Sequence, residues 1–170
     1  LLFVILIPLP TGVLDILRLM GAQISIDDQA TMGAEPVATL NVQPSRLRGV
    51  TIPEHLIPLA IDELPLVFAL AACAEGITVI SGAEELRHKE SDRIAVMAAG
   101  LRELGIEVDE TPDGARIHGG RLRSGTVDSA GDHRVAMAFS VVAMRATGPV
   151  EILDTANVAT SFPNFVPLMQ

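Results

Sequence analysis

The sequence predicts an α/β protein assembled from repeated βαβαββ units whose helices lie inside. Three observations lead there. Helix-then-strand pairs recur, as Leu19-Met20-Gly21-Ala22-Gln23-Ile24 and as Glu103-Leu104-Gly105-Ile106-Glu107-Val108. Segments apolar on nearly all sides follow Asp62 and Asp132, 70 residues apart, and each gives way to a glycine and a strand. Helices opening with Thr or Ser recur at Thr11, Ser91 and Ser161. A single unit cannot cover both faces of its buried helix, so several must pack with those helices inward. No Gly-x-Gly-x-x-Gly or P-loop pattern occurs, so an open nucleotide-binding sheet is not expected.

The elements follow in order. Leu1 to Leu9 is an apolar run, too short to span a bilayer and interrupted by Pro8, and it reads as a severed strand. It lacks the basic start and small-residue cleavage site of a signal peptide. Thr11 to Gly21 reads as a helix with Val13, Ile16, Leu17 and Met20 on one face. Ala22 to Ile26 alternates as a strand, Asp27-Asp28-Gln29 reads as an exposed turn, and Val37 to Val42 as a second strand. Arg46 to Val50 runs extended towards Pro53. Leu64 to Glu75 has the all-round apolarity of a buried helix, ended by Gly76, and Ile77-Thr78-Val79-Ile80 is a β-branched strand. Ile94, Met97, Ala98, Leu101 and Leu104 mark an amphipathic helix, with Ser91 as its expected N-cap and Gly105 as its stop. Ile106 to Val108 and Arg116 to His118 form a hairpin around Pro112-Asp113-Gly114. Val135 to Ala146 is a second buried helix, stopped by Gly148-Pro149 before the strand Val150 to Leu153. Ser161-Phe162-Pro163-Asn164-Phe165 reads as a last helix start.

Composition narrows the function. The chain has 170 residues, is nearly half hydrophobic, contains neither Trp nor Tyr, and carries a net charge of −9. That charge argues against a nucleic-acid or anionic-membrane binder, so no nucleic-acid or membrane partner is expected. A bound anion would need a few local cations. The one cysteine, Cys73, reads as a small core residue, and no disulfide framework or cysteine metal site can be built from it. A reducing, cytoplasmic location is the expectation.

Against this background, Glu85-Leu86-Arg87-His88-Lys89-Glu90-Ser91-Asp92-Arg93 is unusual, with seven ionisable groups in nine residues. Lys89 is the only lysine of the chain. These charges precede a helix, where free N–H groups and the macrodipole favour an anion. An acid, Glu90, one turn from a cation, Arg93, pairs a proton donor with an anion clamp. The same charges equally suit a solvated, salt-bridged helix start. Asp62-Glu63 and Asp132-His133-Arg134 stand at the starts of the two buried helices. Repeat symmetry would bring all three clusters to one rim. Read singly, Asp62 and Asp132 are also ordinary N-caps and His133 a surface histidine.

Leu86-Arg87-His88-Lys89-Glu90-Ser91-Asp92-Arg93-Ile94 resembles the Arg-x-Lys-Glu-[Ser/Thr]-Asp-Arg signature of the 5-enolpyruvylshikimate-3-phosphate synthases. Asp132-His133-Arg134-Val135-Ala136-Met137 resembles that family's Asp-His-Arg-x-Ala-Met block, and Ser161-Phe162-Pro163 its closing Phe-Pro motif. Asp62 stands at the family's spacing upstream of Lys89. The likeness runs from about Thr11 to the end. The related transferase acting on UDP-N-acetylglucosamine shares the fold and is the alternative, but resembles these motifs less.

The resemblance implies an enolpyruvyl transferase lobe, an inside-out α/β barrel of βαβαββ units, of which residues 1–170 would be part of the C-terminal lobe. Residues 51–125 would be the most complete unit and 1–10 a severed strand or atypical start, with the N-terminal lobe absent. The reaction implied moves the enolpyruvyl group of phosphoenolpyruvate to the 5-hydroxyl of shikimate 3-phosphate and releases phosphate, without cofactor or metal. Asp62 would bind the hydroxyl and take its proton, and Glu90 would protonate the methylene carbon. Arg93 and Arg134 would grip phosphoenolpyruvate, a task suited to bidentate guanidinium groups. Lys89 would contact shikimate 3-phosphate, and His133 would support Glu90 or the intermediate. The N-terminal lobe would supply the remaining cations, so the isolated chain is expected to be inactive or to act only as a binding module.

Two positions depart from the family pattern. Thr160 stands where many members have a lysine that binds phosphoenolpyruvate, and Glu85 replaces an asparagine that touches shikimate 3-phosphate. Both changes point towards the glyphosate-tolerant bacterial class and leave sensitivity to that inhibitor open.

Overall fold

A computed structural model describes residues 2–5, 12–32 and 35–169. Helix α1 (Gly12–Leu19) turns Ile16, Leu14 and the following Met20 into the core, and Gly21, at φ +95°, ends it. Its expected opening residue, Thr11, lies outside the described residues, as does 6–9 of the first expected strand.

Strand β1 (Leu2–Ile5) lies along one side of β3 (Glu35–Gln43), and β2 (Gln23–Met32) along the other, all antiparallel. The turn expected at Asp27-Asp28-Gln29 does not form. The strand continues, and between Asp27 and Ala30 its register against β3 shifts by a β-bulge. A bulge absorbs the extra residue while the partner strand keeps the ladder going, which overrides the local turn preference of Asp.

The segment after β3 runs extended, with Arg48 and Thr51 bridging in parallel to Glu75 and Val79. Then comes α2 (Leu64–Cys73), whose Val67, Phe68, Ala71 and Ala72 are shut off from solvent. Pro65 sits in its first turn, where a missing N–H breaks no helical bond. Strand β4 (Ile77–Ile80) pairs with β6 (Gly114–His118), which pairs with β5 (Val108–Thr111) across the expected turn. Helix α3 (Arg93–Glu103) buries Ile94, Met97, Ala98 and Leu101 as its spacing predicts. Gly105, at φ +85°, stops it.

The same pattern starts again. Strands β7 (Gly125–Asp128) and β8 (Val150–Leu153) pair in parallel around α4 (His133–Ala143), as 48–51 and β4 do around α2. Helix α4 ends at Ala143, short of the expected Ala146, and turns occupy 144–148. Helices α2 and α4 pack on each other inside, and α3 approaches α4 at Gly100, where any side chain would overlap the Phe139 ring. Among the described residues the sheets remain three open sheets of three, three and two strands, without closing into a barrel.

The chain finishes with α5 (Ala156–Ser161) and α6 (Phe165–Leu168). Ser161 therefore ends a helix where the sequence predicted a start. Pro163 keeps Phe162 out of helical backbone, at φ −143° and ψ 79°, and the new helix opens only after Asn164.

Candidate functional site

The polar residues at the starts of α2, α3 and α4 meet around Arg93. This arginine is the first residue of α3 and only 1% exposed. Its Nε donates to Asp132 Oδ2 at 2.8 Å, its Nη1 to Asp62 Oδ1 at 3.1 Å and its Nη2 to Glu90 Oε2 at 2.6 Å. One guanidinium thus joins three carboxylates carried by three helix starts.

Asp132 is fully buried and does double duty. It caps α4, accepting from the Arg134 N–H at 2.9 Å and the Val135 N–H at 3.4 Å. The N-cap reading and the cluster reading of this residue are both right. Burial alone would push its carboxyl up, but the Arg93 guanidinium and the two backbone N–H groups outweigh that and hold it below the usual range. The chain is bent into Asp132 by two successive left-handed residues, Ala130 at φ 51° and Gly131 at φ 69°.

Asp62 lies in a single 3-10 turn, Ile61–Glu63, ahead of α2 and is partly open to solvent. It makes no cap hydrogen bond there, so its N-cap reading fails. Lys89 Nζ stands 3.6 Å from Oδ1 and Arg134 Nη2 3.8 Å from Oδ2. Burial again works upward, but Arg134, Lys89 and Arg93 together hold this carboxyl low. Arg134 also donates to the Asp62 backbone carbonyl at 3.1 Å and lies 3.8 Å from Glu63 Oε1.

Lys89 pairs with Glu85, one helical turn before it, and mainly this bond raises its ammonium pKa, burial opposing. Glu90 is half exposed and touches the cluster only through Arg93. His133, half-buried at the start of α4, makes no hydrogen bond or ion pair with Glu90 among the described residues.

The cap of α3 is Asp92, which accepts the Ala95 N–H at 3.0 Å, and not Ser91. The Ser91 hydroxyl instead donates to Asp132 Oδ2 at 3.2 Å. Two capping residues side by side offered both choices, and the buried carboxylate claims the serine. The charged loop is held from below by Arg87, which donates to the Pro112 carbonyl at 2.6 Å and pairs with Asp92 at 2.7 Å and Glu110 at 3.1 Å. Asp113 fastens the same hairpin to the loop after β4 by accepting the Gly82 N–H at 2.8 Å.

The site therefore holds three cations, Lys89, Arg93 and Arg134, against five carboxylates, Asp62, Glu63, Glu85, Glu90 and Asp132. Asp132 was legible as a cap and cluster member, but not as the partner of Arg93. Its place beside Ser91 is a contact 41 residues long that no local pattern encodes. A pocket of about 190 Å³ adjoins the site, lined by Asp62, Glu63, Arg134, Met137 and Phe165.

Comparison with solved structures defines the class. The chain superposes on EPSP synthase from Acinetobacter baumannii with a TM-score of 0.93 and 46% identity, over 97% of this chain and 39% of that one. The enolpyruvyl transferase NikO from Streptomyces tendae shares the fold, with a TM-score of 0.59 and 22% identity over 93% of this chain and 34% of that one. The fold is that of the enolpyruvyl transferases. A family model for EPSP synthase (3-phosphoshikimate 1-carboxyvinyltransferase) matches residues 8–169, and the chain belongs to that family. It is 61% identical over 95% of its length to 3-phosphoshikimate 1-carboxyvinyltransferase of Methylococcus capsulatus, and 58% identical over 95% to that of Nitrosococcus oceani. The chain spans 37% and 36% of the length of these two relatives. No helix among the described residues is long and apolar enough to cross a membrane.

Proposed function

We propose that this chain is part of the C-terminal lobe of a longer enzyme that transfers the enolpyruvyl group of phosphoenolpyruvate to the 5-hydroxyl of shikimate 3-phosphate and releases phosphate. The observation that carries the proposal is the convergence of Asp62 and Glu90 on Arg93, 3.1 and 2.6 Å away. A base for the hydroxyl and an acid for the methylene carbon then flank one anion-binding guanidinium.

In this reading Asp62 takes the hydroxyl proton as the oxygen attacks C2 of phosphoenolpyruvate, and Glu90 delivers a proton to the methylene carbon. Elimination returns that proton from the new methyl group, re-forms the double bond and expels phosphate. The cations around Asp62 keep it ionised, so it has a place for the proton. Arg93 and Arg134 neutralise charge on the phosphoenolpyruvate carboxylate and departing phosphate. Lys89 engages shikimate 3-phosphate. His133 supports Glu90 or the intermediate.

The cations are occupied by the chain's own carboxylates, so this half alone offers no net positive site. The rest of the longer protein, the N-terminal lobe, supplies the missing cations, and a cytoplasmic location belongs to the same proposal. Mixing the chain with the N-terminal lobe of a family member tests it. Phosphate release that requires both lobes and both substrates is expected. Release by the chain alone, or none from a folded two-lobe mixture that binds both substrates, overturns it.

A further inference from the structure

We propose that Glu107, Asp109 and His118 form a binding site for a divalent metal ion of the zinc class on the outer face of the β5–β6 hairpin. The site is independent of the proposed catalytic reading and shares no residue with it.

Strand register creates it. The His118 N–H donates to the Glu107 carbonyl at 3.0 Å, which sets these residues opposite one another across the two strands. Asp109 lies two residues beyond Glu107, on the same face, because side chains alternate along a strand. His118 Nε2 then stands 3.5 Å from Asp109 Oδ2 and 4.0 Å from Glu107 Oε1. One ligand atom from each residue lies within 4.8 Å of the others.

The imidazole supplies a second, separate observation. Its Nε2 is closed off from solvent, though the side chain as a whole is 31% exposed, and it has no hydrogen-bond partner among the described residues. A buried polar atom left unpaired is costly, and this one faces two carboxylates. An ion bound at about 2.0–2.2 Å from each ligand needs neighbouring ligands roughly 3–3.5 Å apart. The closer pair already meets that spacing, and Glu107, 72% exposed, is free to swing inward. One imidazole nitrogen with two carboxylate oxygens suits zinc, cobalt or manganese better than calcium or magnesium, which prefer oxygen alone. Three protein ligands leave a position for water.

Arg116 is the nearest competitor, since it faces Asp109 directly across the ladder. It forms no ion pair with either carboxylate among the described residues. Two carboxylates on one imidazole leave this spot with surplus negative charge for a cation. A bound ion would pin β5 to β6 from the outside.

Calorimetric titration of chelator-treated protein with Zn²⁺ tests the proposal, with Co²⁺ absorption as a second probe. One saturable equivalent is expected, with Co²⁺ bands that report nitrogen–oxygen coordination and a melting temperature raised by Zn²⁺. Asp109→Asn and His118→Gln keep side-chain size and should each weaken binding by more than about tenfold, since removing a ligand exceeds the loss of an outer partner. No saturable binding overturns the proposal. So does binding that both variants retain, which would place the ion on His55, His88 or His133.

Discussion

Arg93 and Asp132 face one another 2.8 Å apart, Nε to Oδ2, with both side chains shut away from water. The pair joins the starts of α3 and α4, and everything polar at the site is arranged around it. Burying two charges is expensive, and the cost is offset only while both remain with their hydrogen bonds made.

Asp132→Ala should therefore destabilise the chain by up to about 3–5 kcal/mol, the scale for breaking a buried pair, since Arg93 keeps Asp62 and Glu90 but loses its one fully buried partner; the lost cap adds about 1 kcal/mol. Urea unfolding followed by circular dichroism measures it. A loss below 1 kcal/mol would show that Asp62 and Glu90 alone satisfy Arg93.

Acid should act through the same pair. The Asp132 carboxyl sits below its ordinary value of 3.8 in the folded chain, so it binds a proton more readily when unfolded. Its contribution to stability is fully present above that ordinary value and is lost as pH falls through the lower, folded one. The stability gap between the parent and Asp132→Asn should accordingly shrink on going from pH 6 towards pH 3. A gap independent of pH would sink the assignment.

Glu90→Gln, assayed with the N-terminal lobe present, should slow turnover by about 10²–10⁴-fold while substrate affinities change little. Unchanged turnover with reduced thermal stability would instead mark Glu90 as a mere anchor for Arg93.

Glu85→Asn should release Lys89 for a phosphate group. Exposed pairs are worth little, so tightening of shikimate 3-phosphate binding by up to about fivefold is the expected scale. Weaker binding in this variant would mean that Glu85 positions Lys89 productively.

Gly100→Ala should cost about 1–3 kcal/mol, because the new methyl group would overlap the Phe139 ring between α3 and α4. Adding Phe139→Leu should recover part of the loss. No recovery would place the strain elsewhere.

Periodicity carried the architecture well. The spacing of Ile94, Met97, Ala98 and Leu101 located one face of α3, and Pro112-Asp113 located the hairpin turn, because each is decided by neighbours in sequence. Contacts between distant segments decided the rest. Asp27 to Gln29 carries turn chemistry but is held as strand by β3, and Ser91 looks like a cap until Asp132 draws its hydroxyl away. Three charged clusters at helix starts were visible, and so was their meeting at one rim. Which carboxylate lies under Arg93 was not visible, since burial depends on how α4 settles on α2. The cation count at the site emerged only once every acid had been placed.

The bonds that close the charged site span 31, 39 and 72 residues. Closing a loop twice as long costs only about 0.6 kcal/mol more, so such reach barely taxes the finished fold. It bears instead on the order of assembly. Contacts that bridge long stretches of chain form slowly, whereas helices coil within about a microsecond. A newly made chain should acquire its helices well before it acquires the site, and during that interval Arg93, Asp62 and Asp132 are hydrated and independent. Recognition is thus withheld until the interior has set.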